Sequence, residues 1–254
     1  MVVILIEHCW PVWTDEAQWR SQITHAVGRV KFLDAYEEPK LENSAVNLDR
    51  QVRRVQRDVL RMGALVEHSF LLARRALFDR DLDAAKQIAV QDKQIDQFYR
   101  QIEVDCVNLI AMQSSVAHNL RLLSAIMQLV RDLERIGDYA KDLGEVAVKL
   151  FPYPVHPCMG RIRVMSDRCR AMLAMSLAAL SDLDAESGLD VKVRDDDVDT
   201  DYEEVYTLLT RQSNVQGAIE QIVLMVLAIR YLERMADHAT NIGKRVAYVV
   251  TGQR

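Results

Sequence analysis

Proline and glycine are scarce in this sequence. Nine Gly and five Pro among 254 residues leave little punctuation for turns, so long helices with few connections are expected. Cysteine is as sparse: Cys9, Cys106, Cys158 and Cys169 are scattered with no C-x-x-C pair. That pattern reads as small core residues in a reducing cytosol. No run approaches the roughly 18 apolar residues of a membrane span. The apolar start, Val2 to Ile6, is too short for a signal-peptide core, lacks a basic start and runs into Glu7. No Walker A loop, G-x-S-x-G elbow or Rossmann glycine pattern occurs. Glu-x-x-His is missing too, which disfavours a ferritin-type di-iron oxidase. Nothing sets a nucleophile beside a base. A net charge of −5 favours neither nucleic acid nor anionic membrane as a direct partner.

What the chain does have is a repeated stretch. Leu129-Val-Arg-Asp-Leu-Glu-Arg-Ile-Gly-Asp-Tyr-Ala-Lys-Asp142 returns 99 residues later as Ala228-Ile-Arg-Tyr-Leu-Glu-Arg-Met-Ala-Asp-His-Ala-Thr-Asn241. Ile126, Leu129, Leu133, Ile136, Ala140, Leu143 and Ala147 step by three and four, and Met225 to Val249 repeat that register. Both are helices with a narrow apolar seam. On that seam Glu134, Asp138 and Asp142 fall on the outer face, as do Glu233, Asp237 and Asn241. Each copy therefore carries an oxygen-bearing stripe, because positions four apart are helix-surface neighbours. Beside it sit Gly137 and Gly144, then Ala236 and Gly243. A mid-helix glycine costs roughly 1 kcal/mol against alanine, so something must approach the helix closely there.

The repeat extends backwards. A helix from about Ser44 carries Val52, Val55, Val59, Met62, Val66, Ser69, Ala73 and Ala76 inward, and ends at Phe78-Asp-Arg-Asp81, where an Asp can cap the next helix. Helix two runs to about Met112 with Ile88, Ile95, Phe98, Ile102 and Leu109 inward. The run Phe151 to Pro157 holds three of the five prolines and marks a linker. Ile162, Met165, Cys169, Met172, Ser176, Ala179 and Leu183 then begin the second unit, and its middle helix is expected over Leu189 to Gln212. The expected fold is all-α: residues 44–150 and 158–254 form two tandem antiparallel three-helix bundles joined by linker 151–157. Residues 1–43, which hold all three tryptophans, stand outside the repeat.

The middle helices add Asp92/Asp96 and Asp195/Asp199. If these meet the stripes, each unit gathers four or five carboxylates. Oxygen donors with little imidazole and no thiolate suit Mg, Mn, Ca or iron better than structural zinc. The plainer alternative is a solvated charged face whose arginines form ion pairs worth about 0.2–0.5 kcal/mol each. Recurrence of the stripe while the seam residues drift favours metal or anion binding. Both readings stay open on the residues alone.

At Leu133-Glu-Arg-Ile-Gly-Asp138 and Leu232-Glu-Arg-Met-Ala-Asp-His-Ala-Thr-Asn-Ile242 the sequence resembles the PhoU family, the phosphate-transport regulatory proteins. Asp92-x-x-Ile-Asp96 and Asn119-Leu-Arg121 also fit, and the likeness spans about residues 50 to 250. It departs at Gln113-Ser114, where the family usually has a Pro after the Gln, and at Asp142, where Asn is common. The resemblance implies two three-helix bundles and an acidic motif in each half, mapping to Glu134/Asp138 and Glu233/Asp237. Some members bind multinuclear iron or zinc clusters there; manganese or magnesium is the less expected metal. It further implies a cytoplasmic, non-enzymatic negative regulator of phosphate uptake and the phosphate-starvation response. Such members couple the ATPase subunit of the phosphate ABC transporter to a sensor histidine kinase, are commonly homodimers, and meet the membrane only through partners. Two other classes remain: a metal-dependent enzyme whose clustered carboxylates activate water, and a purely structural helical scaffold.

Overall fold

The computed structural model describes residues 42–111, 117–211 and 219–253. All but the last two residues of the N-terminal extension lie outside that range, with the tryptophans and Cys9. The described residues form six helices and no strand: α1 (Glu42–Phe78), α2 (Leu82–Ala111), α3 (Ala117–Leu150), α4 (Met159–Asp182), α5 (Ala185–Thr210) and α6 (Ile219–Thr251). The first three pack on one another as one bundle and the last three as a second. The bundles join mainly through α3 against α6, with a smaller contact between α1 and α4.

The three-four spacing holds in the core. Val59, Met62 and Val66 of α1, Ile88, Ile95 and Ile102 of α2, and Leu133, Ile136 and Leu143 of α3 are almost wholly buried. Met165, Met172, Val191, Val198, Leu232 and Ile242 do the same in the second unit. Each such side chain contributes about 1.5–3 kcal/mol by leaving water. Phe98 and Leu183, expected inward, are only partly buried and pack against the edge of this core.

The turn between the first two helices of each bundle is built twice from the same parts. Arg80 (φ 57°) and Leu183 (φ 50°) sit in the left-handed region, a conformation that costs a non-glycine residue about 1 kcal/mol. The next residue caps the following helix. Asp81 Oδ1 accepts from the amides of Asp83 at 3.1 Å and Ala84 at 3.0 Å. Asp184 Oδ1 accepts from those of Glu186 and Ser187 at 3.0 and 3.2 Å. Both carboxyls are held below the usual range. For Asp81 the bond from Ala84 is the main cause, and for Asp184 the Ser187 hydroxyl. With Asp184 as its cap, α5 starts at Ala185, four residues ahead of the Leu189 that periodicity marked. The apolar spacing is weak over Glu186–Asp190, and the cap rather than the seam sets this boundary.

The glycines of the key helices face the middle helices. A Cβ at Gly137 would stand 3.1 Å from Ile95 Cδ1, and one at Gly144 2.7 Å from Ile88 Cδ1. In the second bundle the approach is closer. A Cβ at Gly243 would stand 2.2 Å from the carbonyl oxygen of Gly188. The close neighbour inferred from these glycines is therefore the middle helix of the same bundle.

Candidate functional site

The stripes lie at the edge of a solvated face, not wholly on it. Helix α3 packs against α1, α2 and α6, while Arg131, Arg135, Glu145 and Lys149 beside its stripe are exposed. Glu134, Asp138, Asp142, Glu233, Asp237 and Asn241 are all of intermediate exposure. A two-position seam describes a helix with one neighbouring surface; each of these two helices packs against three others, which half-covers its stripe.

The fold brings the middle-helix carboxylates to the stripes. Burial, then the neighbouring Asp138, lifts the Glu134 carboxyl above its ordinary range, with Asp96 adding to the effect. Burial also lifts Asp138, where Asp92 and Asp96 work against Arg135 and Lys141. Asp142 is raised by burial, then by Glu145 and Asp138. In the second unit burial comes first again: Asp195 and Asp237 add to it at Asp199. At Glu233, Asp237 and Asp199 add to it against Arg230 and Arg234. Like charges held together in half-buried surroundings produce this pattern.

Cations of the chain itself answer much of that charge. Arg135 reaches Asp138 at 3.2 Å and Glu134 at 3.5 Å. Arg234 reaches Asp237 at 3.3 Å, and Arg230 holds Glu233 at 2.8 Å. Asp96 meets Arg100 at 3.5 Å. Lys141 Nζ lies 2.7 Å from Asp92 Oδ2, and Lys192 Nζ 2.9 Å from Asp195 Oδ2. Among the described residues no three His, Cys, Asp or Glu side chains close on one point as the ligands of a metal ion do. The stripes hold spread carboxylates with ion-pair partners.

The second stripe differs in one respect. Asp195 is 4 % exposed and Thr240 3 %, and the atoms Asp195 Oδ1 and Thr240 Oγ1 are buried without a hydrogen-bond partner. Asp195 is the repeat equivalent of Asp92, and Thr240 that of Lys141. The position that supplies an ammonium to the first stripe supplies only a hydroxyl to the second. An orphaned carboxylate oxygen among further carboxylates is the donor chemistry a hard cation uses, and burying it alone costs about 1–3 kcal/mol.

Asn241 departs from the stripe. Its amide points to Asp132 Oδ1 at 3.5 Å, in the joint between the bundles. Periodicity did not single out Asp132, which is 7 % exposed. It also pairs with His238 Nδ1 at 2.8 Å and Arg245 Nε at 3.2 Å. Nearby, Tyr139 stacks on Tyr231 with ring centroids 5.9 Å apart. The repeat held a signal for this joint. Asp132 stands where the second copy has Tyr231, and Tyr139 where it has His238, so two of the positions that break the repeat make contacts across the joint. Cys106 and Cys169 are core residues, and burial pushes the Cys106 thiol up to about 12 and that of Cys169 higher still. Such thiols are inert.

A family model described as the PhoU domain matches residues 59–147 and again 162–246. The phosphate-specific transport system accessory protein PhoU homolog of Synechocystis sp. is 54% identical over 206 residues, which are 81% of this chain and 92% of that protein. The homolog from Pseudomonas aeruginosa is 35% identical over 78% of this chain and 83% of its own. Among solved structures, PhoU from Pseudomonas aeruginosa superposes with a TM-score of 0.78 at 33% identity, covering 81% of this chain and all of that one. The phosphate transport system regulatory protein PhoU from Streptococcus pneumoniae gives 0.74 at 26% identity, covering 81% and 98%.

Proposed function

This chain belongs to the PhoU family, and on that premise we propose that it is a non-enzymatic negative regulator of phosphate uptake and of the phosphate-starvation response. A role as accessory protein to a phosphate-specific transport system follows from its relatives. The finer reading is that it couples the ATPase subunit of the phosphate ABC transporter to a sensor histidine kinase. It would do so in the cytoplasm, as a homodimer, reaching the membrane only through these partners. Among the described residues no helix is long and apolar enough to cross a membrane.

The observation that carries this reading is the acidic stripe, built twice on an internal repeat, half-buried and partnered by arginines. It is suited to exchanging one cationic partner for another, and no nucleophile stands beside it. The test is deletion of the gene followed by an alkaline phosphatase assay in high phosphate. Derepression is expected; unchanged repression would count against the proposal.

A second reading, favoured by the orphaned Asp195 Oδ1, is cation binding at the stripes. Glu134, Asp138 and Asp142 with Asp92 and Asp96 would hold a metal in the first unit, and Glu233 and Asp237 with Asp195 and Asp199 in the second. Iron or zinc is the leading candidate, then manganese or magnesium. In the first unit a metal must displace Lys141 and Arg135. In the second it must displace Lys192, Arg230 and Arg234 but gains the Asp195 oxygen that has no partner. Melting of chelator-stripped protein with and without each metal distinguishes the units.

A further inference from the structure

A cavity of about 240 Å³ lies where the interdomain linker passes between the bundles. Its walls come from the ends of α1 and α3, the linker itself, and the starts of α4 and α6. Of its fourteen lining residues none is Asp or Glu, although the chain carries 37 acidic residues against 32 Lys and Arg. Three are Arg80, Arg163 and His156. The lining of this cavity therefore reverses the sign of the chain's charge balance.

Arg80 is the fixed member. Its left-handed backbone aims the side chain back at the linker, where the guanidinium donates to the carbonyls of Phe151 and of Tyr153, the latter at 3.0 Å. It also lies over the Phe151 ring, 4.8 Å from the centroid. No carboxylate of the described residues pairs with it. Arg163 lies over the Phe78 ring at 4.7 Å and meets Asp79 at 3.1 Å, so its charge is partly answered. Glu220, the other nearby carboxylate, accepts from the Tyr153 hydroxyl. His156 Nδ1 accepts from the Cys158 amide. At the mouth, Gly160 in the first turn of α4 has nothing within 4 Å of where a Cβ would be.

We propose that this cavity binds a mononucleotide. Two guanidiniums suit the phosphate, since the arginine fork matches phosphate oxygens. The walls are aromatic and aliphatic, and a base stacks on such rings or on the face of a guanidinium. The volume exceeds what a bare phosphate ion needs. The site joins both bundles and the linker, so its occupant would bear on how they are held.

The test is calorimetry on the purified full chain with AMP, adenosine and inorganic phosphate, in wild type and in Gly160→Asp and Arg163→Gln. Gly160→Asp meets no steric obstacle and adds an anion at a helix N-terminus, where it favours the fold. It should melt no lower than wild type without ligand. AMP should bind wild type at least about tenfold more tightly than either adenosine or phosphate, a difference of one decade in Kd. Gly160→Asp should weaken AMP by at least about tenfold, and Arg163→Gln by several-fold. Three results would each overturn the proposal: no binding of AMP at millimolar concentration, phosphate binding as tightly as AMP, or Gly160→Asp binding AMP like wild type.

Discussion

In the first bundle Asp92 closes on Lys141 at 2.7 Å; in the second the equivalent residues are Asp195, whose Oδ1 is buried without a partner, and Thr240, whose hydroxyl has none either. The flanking residues match, with Glu134/Glu233, Arg135/Arg234 and Asp138/Asp237 repeating in both sequence and pairing. One exchange, Lys for Thr, moves the ammonium that answers this aspartate from Lys141 in the first unit to Lys192 of α5 in the second, and leaves the second stripe with one carboxylate oxygen that has no partner. The helices beneath the stripes differ as well. At Gly144 the neighbour is the tip of a flexible Ile88 side chain, whereas at Gly243 it is backbone. The second stripe therefore rests on a closer helix pair.

The largest effect should come from testing that closeness. Gly243→Ala drives a methyl into the Gly188 carbonyl and should cost about 2–4 kcal/mol, beyond the usual overpacking range because backbone must move. Gly144→Ala displaces only the end of Ile88 and regains about 1 kcal/mol of helix propensity, so it should be near neutral. Denaturant unfolding of the two variants decides this, and equal losses would mean that the helix pairs are equally tight.

Next in size is the Lys/Thr exchange. Lys141→Thr should lower stability by about 1–1.5 kcal/mol, the partly exposed pair being discounted for solvent. It should also make the first unit respond to added metal. A cap comes after that. Asp81→Ala should cost about 1 kcal/mol. Because the folded Asp81 carboxyl lies below its unfolded value, its contribution is present above the unfolded pKa. It is lost as pH falls through the folded one, so wild type and variant should converge in acid.

The smallest effect makes the stripes alike. Asp142→Asn copies Asn241. The Asp142 carboxyl is raised in the fold, so its charged form is disfavoured there and its relative stabilisation disappears as pH rises through the folded value. Asn should gain a few tenths of a kcal/mol near neutral pH, the size of one relieved like-charge contact. Below the ordinary carboxylate range it should gain nothing. Thermal melting at the two pH values reads this directly.

The helices and their pairing were legible in the sequence because apolar residues at Leu133, Ile136, Leu232 and Met235 record burial with a fixed period. The stripe was legible as a repeat, but its half-burial was not. Periodicity reports the strongest buried face, and α3 and α6 each pack against three helices. Asp132 is invisible to a hydrophobic pattern because it is a polar residue buried for its partners, His238 and Arg245. The start of α5 was missed because a cap, Asp184, outweighed a weak seam. The partnerless oxygens of the second stripe needed coordinates, although Lys141 against Thr240 was on the page as a break in the repeat.

The most direct measurement is metal-dependent melting of three chelator-stripped proteins: wild type, Asp92→Asn/Asp96→Asn and Asp195→Asn/Asp199→Asn. At a hundredfold excess over Kd a bound ion adds about 2.7 kcal/mol. Wild type and the first-stripe variant should gain stability with iron, zinc or manganese to nearly the same extent, and the second-stripe variant should lose at least half of that gain. Equal gains in all three would remove these carboxylates from any metal site and return both stripes to ion-paired surface.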